Sequence, residues 1–449
     1  MRSAPDDATE APVGPATPVA DAPTAGSPLW IANFRRYAGA QLLGSSGVWM
    51  LRMASDWLVM ELTGSSAAVG LLVALQFFPL MVLGPLGGVL ADRHDKRRIV
   101  TVAQGCSAVL AATLAVLTLG GWVEVWHLYA MAVLLGLVAA VEQPARQVLV
   151  GEVVGDGMLR SAISTNNALN QIGGMIGPAA AGLLISAVGQ GWAYATNAIV
   201  ALAVCALFLS LRRSEMHPGP RLARGRGQVR EGVRYVLARP RLAWVMVLAG
   251  LMGAFGLNGP VVFTAFAGEW GTGAAGLGLY NTAAAFGALA GAVMAARLAR
   301  LRARSVVLGT GAFGAVEIVA AVMPVHVAFV ALLVVVGVAT LFFLTSASTL
   351  VQLSAERAVR GRVLALYSPI LLGGHACGGL LQGWLAEQMG VRLALVLTGC
   401  LALLSTIVVG LALARVEGLR LGLRRRAWPF AIVSASPRPG RSAARVDTP

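Results

Sequence analysis

A few charged side chains lie within long apolar runs of this sequence, and these residues could do chemistry. Arg52 and Asp56 are four positions apart, so on a helix they share one face with Trp49. Glu317 and His375 lie within two later apolar runs. A carboxyl group beside a cation can change its protonation state as its surroundings become wet or dry. Arg52 and Asp56 therefore predict either proton exchange or a structural ion pair.

Amide side chains cluster in another apolar run, at Asn166, Asn167, Asn170 and Gln171. Polar residues in a membrane helix line a cavity or hydrogen-bond to a neighbouring helix. Asn166 and Asn170 are therefore candidate cavity residues, and interhelical hydrogen bonding is the alternative. His375 has the same two interpretations, as a proton carrier or as a packing residue.

A serine motif offers a different chemistry. Gly44-Ser45-Ser46-Gly47 matches the Gly-x-Ser-Gly nucleophile motif of rhomboid intramembrane proteases, for which His375 would have to act as the base. The motif consists of common residues, and rhomboid proteases have fewer spans and no duplicated halves. Proteolysis is therefore a remote alternative.

The composition requires a membrane. Of 449 residues, 57% are hydrophobic and 12% are charged, about half the usual share in soluble proteins, and the mean hydropathy is +0.74. These values exclude a soluble enzyme, a disulfide scaffold and a disordered chain. The four cysteines lie far apart and no Cys or His spacing suits a metal, so we expect neither disulfides nor a metal site.

Twelve apolar runs are long enough to cross a bilayer. The segment 1–32 before them lacks the apolar stretch of a signal peptide, and we expect a disordered cytoplasmic N-terminus. The basic tail, 415–449, is also predicted to be disordered. The predicted spans are 37–61, 66–90, 99–120, 125–143, 162–187, 191–211, 242–267, 274–296, 305–323, 325–348, 363–386 and 392–414.

Basic residues fall on alternate loops, which predicts the orientation. The loops after the odd-numbered spans contain a single basic residue, Arg392, and the other loops and the tail hold many. Both termini are therefore predicted to be cytoplasmic. The net charge of +15 then reflects basic cytoplasmic loops, and we expect no binding to nucleic acid.

An internal repeat predicts two six-helix halves, 33–211 and 242–414, joined by a basic cytoplasmic linker at 212–241. Small residues spaced in this way let helices approach closely. The repeated glycines of the second and eighth spans are 203 positions apart. With this offset, Arg52 and Asp56 align with the uncharged Phe255 and Gly259. Gly84 and Gly88 recur in the second half as Gly287 and Gly291, Gly173 and Gly177 recur as Gly374 and Gly378, and Gly182 recurs as Gly383.

The loop after the second span carries a family motif, with Gly88, Asp92, Arg93, Lys96 and Arg97. It resembles the signature loop of the major facilitator superfamily, Gly-x-x-x-Asp-Arg-x-Gly-Arg-Arg, in the expected place. Asp95 replaces a glycine of the general pattern, which is typical of the enterobactin-exporter-like, transmembrane secretion effector branch of drug and siderophore exporters. Two further stretches resemble that branch. The first span holds Trp49-Met50, Trp57-Leu58-Val59 and, at its end, Leu62-Thr63-Gly64-Ser65, and the loop after the fourth span starts with Pro144-Ala145-Arg146-Gln147.

The resemblance implies that this loop is a cytoplasmic gate. Asp92 would face the start of the eleventh span, and Lys96 would reach an acid at the inner end of the fourth span, where Glu142 lies. These contacts would tie the halves together when the protein is closed to the cytoplasm. The alternative is a patch of positive charge that anchors the loop. The resemblance also implies that the ninth span, with Glu317, is peripheral.

The fifth span resembles the antiporter motif of exporters, Gly-x-x-x-Gly-Pro-x-x-Gly-Gly. Its residues are Gly173, Gly177, Pro178 and Gly182, with Ala181 in place of one glycine. Proline removes a backbone donor and kinks a helix, and small residues let the kink pack against a neighbour. The motif implies export, and ordinary helix packing is the alternative.

These observations predict an all-α major facilitator fold in a multi-pass protein of the bacterial cytoplasmic membrane. The expected function is export of a small amphipathic molecule (a drug, antibiotic or siderophore) by proton antiport. No phosphate-binding loop is present, so the proton gradient is the expected energy source. We expect a monomer without cofactors or enzymatic activity. An importer or facilitator of the same fold and a channel are the alternatives.

Overall fold

The described part of the chain contains fourteen α-helices, three short 3₁₀ helices and one short β-hairpin. The computed structural model describes residues 27–217, 228–297, 303–356, 359–416, 419–422 and 431–434. The helices are α1 (Ala32–Thr63), α2 (Ser66–Arg93), α3 (Lys96–Leu119), α4 (Val125–Val154), α5 (Leu159–Val188), α6 (Gln190–Leu209), α7 (Gln228–Leu237), α8 (Pro240–Gly256), α9 (Gly259–Glu269), α10 (Gly273–Arg297), α11 (Ala303–Ala321), α12 (His326–Ser354), α13 (Arg360–Met389) and α14 (Val391–Val416). Strands β1 (Leu419–Gly422) and β2 (Ala431–Ser434) pair antiparallel.

The helices correspond to the twelve predicted spans. Within the described residues, eleven segments are long and apolar enough to cross a membrane, with α8 and α9 counted as one. The remaining span is α1, which has 32 residues and carries several charged side chains. α8 ends at Gly256 and α9 begins at Gly259, because Pro260 fits the first turn of a helix but cannot continue one.

The ends of several segments differ from the predictions. α4 continues through Pro144 to Val154, although the fourth span was predicted to end at 143, because packed membrane helices tolerate proline. The linker contains α7, which packs on α13 and α8. The tail that was predicted to be disordered contains the hairpin, and helical structure begins at Pro28. The rest of the tail and residues 1–26 lie outside the described residues.

The two halves repeat one packing scheme. In the first half, α1 packs on α5 and α6, α2 on α4, and α3 on α6. The equivalent pairs of the second half are α8 with α13 and α14, α10 with α12, and α11 with α14. The halves meet where α2 packs on α13 and α5 packs on α10. The protein therefore has two pseudo-symmetric six-helix halves.

Equivalent glycine contacts define the register of the repeat. A Cβ added to Gly182 would lie 3.1 Å from the Cα of Gly278, and one added to Gly383 would lie 3.1 Å from the Cα of Gly70. Gly182 and Gly383 are 201 positions apart, as predicted, whereas Gly70 and Gly278 are 208 positions apart. The offset of 203 is therefore wrong for the second and eighth spans.

This register changes the roles of the α2 glycines. A Cβ at Gly84 would meet no described atom within 4 Å, whereas one at Gly87 would fall 1.9 Å from the Ala140 carbonyl oxygen on α4. Gly287 and Gly291 contact α12. With an offset of 208, Arg52 and Asp56 align with Pro260 and Thr264 instead of Phe255 and Gly259. The charge pair still belongs to the first half alone.

The halves share a hydrophobic core at one end of the bundle only. We call the end with loop 94–95 and the linker the basic end, and the end with loop 64–65 and Gly390 the opposite end. At the opposite end, one cluster joins side chains of both halves, such as Leu58 with Phe266. At the basic end, the apolar side chains form two clusters, one in each half. The bundle is therefore closed at the opposite end and divided at the basic end.

Candidate functional site

A cavity of about 440 Å³ lies between the two halves. Helices of both halves line it, including α1, α2 and α5 from the first half and α8 to α14 from the second. Much of the wall is apolar or aromatic, with Trp49, Phe77, Phe263 and Phe313 among the larger side chains. The polar and charged residues of the wall are Arg52, Asp56, Gln76, Gln171, Asn258, Asn281, Glu317, Thr340 and His375.

Arg52 and Asp56 both line this cavity, but they do not form the predicted ion pair. The guanidinium carbon of Arg52 lies 4.8 Å from the ring centre of Phe77 and 5.6 Å from that of Trp49. Asp56 is 5% exposed, and its Oδ1 has no hydrogen-bond partner among the described residues. The Arg52 charge is thus held over aromatic faces, and the Asp56 carboxyl is left for another partner.

Glu317 lies at the cavity wall, although its span was expected to be peripheral. It is 6% exposed, and its Oε2 also lacks a hydrogen-bond partner in the described part of the chain. The expectation failed because α11 packs beside α8 and α12, which places one of its faces toward the cavity. Glu317 is the carboxyl that the second half contributes.

His375 lies in the same wall, on α13. Its ring packs edge-on against Phe77, with the ring centres 4.3 Å apart. Its Nδ1 is buried without a described hydrogen-bond partner. Phe77 therefore contacts one basic side chain from each half, Arg52 and His375.

The break between α8 and α9 contributes cavity residues that the sequence analysis missed. Asn258 lies in this break, and its side-chain nitrogen donates to the carbonyl of Ala254. Its Oδ1 is buried and has no partner among the described groups. The Asn258-Gly259-Pro260 sequence inside an apolar run was a signal for a helix break that could have identified this site.

The amide cluster of α5 does not act as one unit. Gln171 lines the cavity, but Asn166 and Asn170 are absent from its described wall. Asn166 accepts a hydrogen bond of 3.2 Å from the Tyr37 hydroxyl on α1, as the alternative interpretation proposed. Asn170 is exposed on the half of α5 nearer the basic end. Of this cluster, Gln171 is the cavity residue.

The geometry needed for a serine nucleophile is absent among the described residues. The hydroxyls of Ser45 and Ser46 donate to backbone carbonyls one turn earlier in α1, at Gln41 and Leu42, each at 2.8 Å. His375 packs on Phe77 and forms no described hydrogen bond with either serine. These serines satisfy their hydroxyls within their own helix.

The predicted partner of Lys96 is wrong. Lys96 Nζ lies 3.2 Å from Glu152 Oε1, near the end of α4, and not against Glu142. Glu142 lies farther from that end and accepts hydrogen bonds from Gln104 and Arg146. The error arose because α4 extends beyond its predicted end and brings a second acid, Glu152, to the loop.

The described contacts of the signature loop stay within the first half and the linker. Arg97 donates to the carbonyl of Phe208 at the end of α6, at 2.8 Å. Asp95 caps α3 and pairs with Arg213 at 3.1 Å. Gly88 is half-buried and Arg93 is exposed. The predicted contact with the eleventh span belongs to Asp92, and the side chain of Asp92 lies outside the described residues.

The glycines of the fifth span pack against both halves. A Cβ added to Gly173 would fall 1.9 Å from Ser45 Oγ on α1. One added to Gly177 would fall 2.3 Å from the carbonyl oxygen of Ser46 on the same helix. Gly182 packs on Gly278 of α10, and the Pro178 carbonyl also approaches Gly278. α5 continues as one helix through the buried Pro178. The motif thus joins α1 and α10 around one helix.

Known proteins are similar to this chain in sequence and in fold. The family model described as transmembrane secretion effector matches residues 23–438. Enterobactin exporter EntS of Salmonella typhimurium (strain LT2) is 26% identical over 392 residues, which cover 86% of this chain and 92% of that protein. EntS of Escherichia coli O1:K1 is 26% identical over 359 residues, 79% of this chain and 86% of that protein.

Solved transporter structures share the fold. The nucleoside transporter NupG has a TM-score of 0.67 and 13% identity, and the match covers 85% of this chain and 99% of that chain. A bacterial homolog of the human lysosomal transporter Spinster, in an inward-facing and unoccupied conformation, has a TM-score of 0.68 and 15% identity, with coverage of 87% and 97%. Together with the family match, these findings show that the chain is a multi-pass transporter that belongs to the transmembrane secretion effector family of the major facilitator superfamily.

Proposed function

We propose that this protein exports a small amphipathic molecule across the bacterial cytoplasmic membrane in exchange for protons. The cavity between the halves carries this proposal. It holds Asp56 from the first half and Glu317 from the second, each with a buried carboxyl oxygen that has no described partner. Ionisable groups inside a membrane protein are costly, and they commonly mark pathways for substrate, ions or protons.

Alternating access follows from the distribution of the hydrophobic cores. The positive-inside rule favours a cytoplasmic basic end, so that this conformation would open to the cytoplasm. To release a molecule outside, the shared cluster at the opposite end has to separate while the two basic-end clusters approach each other. The glycine contacts of Gly182 with Gly278 and of Gly70 with Gly383 lie at the interface that has to move.

Arg52 and Asp56 supply a means of coupling. In the open conformation Arg52 lies over Phe77, and the Asp56 carboxyl is free to take a proton or a substrate group. When the cavity dries, an unneutralised carboxylate there would be unfavourable. The transporter would therefore change conformation readily only when a proton, a substrate or Arg52 neutralises Asp56.

The direction of transport rests on two supports. The EntS relatives are named exporters, and α5 carries the residues Gly173, Gly177, Pro178 and Gly182 that resemble the exporter motif. In proteoliposomes with an imposed pH gradient, we expect at least one drug or siderophore of a test panel to move uphill, with protons moving the opposite way. Co-movement with protons would instead identify an importer, and flux that ignores the gradient would identify a facilitator or channel.

A further inference from the structure

The unpartnered polar atoms of the cavity are predominantly hydrogen-bond acceptors. Within the described residues, the buried wall atoms without a partner are Asp56 Oδ1, Glu317 Oε2, Asn258 Oδ1 and His375 Nδ1. When the carboxyl groups are ionised, all three oxygens act as acceptors only. The imidazole nitrogen can accept or donate. Buried polar atoms are normally hydrogen-bonded, so these four atoms favour a ligand that brings hydrogen-bond donors.

The charged residues of the wall also favour a ligand that donates hydrogen bonds. Asp56 and Glu317 can each carry a negative charge, and the cation among the described wall residues, besides the titratable His375, is Arg52. Arg52 already lies against the faces of Phe77 and Trp49, a favourable position for a guanidinium. The wall is therefore better suited to a cation than to an anion.

The remaining wall fits the body of such a ligand. Phe263 and Phe313 of the second half and Leu333 of α12 line the same cavity. Sites of this kind bind a ligand through apolar surface and orient it with a few polar groups. The ligand would therefore carry an aromatic or aliphatic body beside its charged end.

We infer that the cavity binds an amphipathic amine, with its protonated nitrogen donating to Asp56 of the first half and Glu317 of the second. Asn258 Oδ1, in the break between α8 and α9, accepts a further N–H. This inference rests on the proposed function, because it makes the cavity the substrate site. It names the substrate class: an organic cation with N–H donors, as opposed to an anion held by Arg52.

Three dansyl probes of similar length separate charge from shape. Dansylcadaverine ends in a primary amine, N-acetyl-dansylcadaverine in a neutral amide, and dansyl-6-aminohexanoate in a carboxylate. Their fluorescence is followed during titration of the purified full-length protein in detergent. We expect the amine to bind saturably and about tenfold or more tightly than the other two, as loss of a charge-assisted hydrogen bond predicts.

Matched variants locate the amine. Asp56→Asn and Glu317→Gln should each weaken dansylcadaverine binding by about tenfold and reduce its preference over the acetylated probe. Glu61→Gln is the control. Glu61 is an exposed carboxylate on α1 at the opposite end of the bundle, and it accepts a hydrogen bond from the Gln190 side chain. Wild-type binding by Glu317→Gln, or equally tight binding of the carboxylate probe, would overturn the inference. This titration needs no gradient, so amine binding without uphill transport would contradict the proposed function alone.

Discussion

The guanidinium carbon of Arg52 lies 4.8 Å from the ring centre of Phe77, and no described ion pair joins Arg52 to Asp56 one turn along α1. Arg52 thus packs on an aromatic side chain of α2, although Asp56 lies one turn away on its own helix. Because His375 of α13 packs on the same ring, Phe77 contacts side chains of both halves. A change in the distance between α2 and α13 would therefore alter the position of Arg52.

Closure at the opposite end can be tested by cross-linking. The backbone nitrogen of Ala67 lies 3.4 Å from Glu387 Oε2, so α2 and α13 are adjacent there. In a variant without the four native cysteines, a short bis-methanethiosulfonate reagent should cross-link Ala67→Cys with Glu387→Cys and stop transport, and reduction should restore it. In the same background, the thiol of an Asn170→Cys variant should react with a thiol reagent from the basic end. Failure of the cross-link together with an unreactive thiol in the Asn170→Cys variant would contradict the described conformation.

Close helix packing at Gly177 makes even a methyl group harmful. An added Cβ would lie 2.3 Å from the Ser46 carbonyl oxygen, which belongs to the backbone and cannot rotate away. Gly177→Ala should therefore destabilise the protein by about 1–3 kcal/mol, as overpacking does, and Gly177→Leu by more. Gly84→Ala is the matched control, since its Cβ meets no described atom within 4 Å. Thermal unfolding in detergent measures both, and equal melting temperatures would refute the packing argument.

The Lys96–Glu152 ion pair lies within the first half and is suited to a double-mutant cycle. The two charged atoms are 3.2 Å apart, and both side chains are mostly buried. Lys96→Met or Glu152→Gln alone leaves an unpaired charge and should cost about 3 kcal/mol of unfolding free energy. The double variant should recover part of that loss. Strictly additive losses would mean that the pair does not contribute as a pair, and Glu142→Gln tests the partner that the sequence suggested.

Asp92 carries the remaining part of the gate prediction. If its carboxylate meets the start of α13 when the basic end closes, Asp92→Asn should reduce the transport rate by about tenfold, equivalent to one lost charge-assisted contact. Expression and melting temperature should stay near wild type, because the contact forms in one conformation only. Arg93→Gln, which removes a charge at the exposed neighbouring position, is the variant with which the transport rate of Asp92→Asn is compared. Full transport by Asp92→Asn would remove the gating role.

Much of the fold follows from the sequence because membranes restrict it so strongly. Long apolar runs, basic loops and the Gly182–Gly383 repeat indicate twelve helices in two halves. Helix ends were less accessible: Pro144 suggested a loop, whereas the packed α4 continues to Val154. That error also hid Glu152, since the partner of Lys96 depends on how far α4 extends.

The cavity was predictable in part. Arg52, Asp56 and His375 were found because ionisable residues are rare in apolar runs. Glu317 was undervalued because sequence does not reveal which face of α11 points inward. The position of Arg52 over Phe77 was beyond sequence reasoning, since it depends on packing between α1 and α2. Gln76 and Asn281 were missed because a single amide in a span gives little signal.

Transport by the Asp56→Asn variant tests the central claim most directly. The substitution keeps the size of the side chain but removes its ability to titrate, and the same α1 offers Glu61→Gln as a control that should transport normally. Proteoliposomes containing each variant are loaded with a transported compound, and its uphill flux under a pH gradient is compared with its downhill exchange. The account predicts that Asp56→Asn loses gradient-driven uphill flux and retains downhill exchange. Uphill flux at the wild-type rate in Asp56→Asn would contradict it and direct attention to Glu317 and His375.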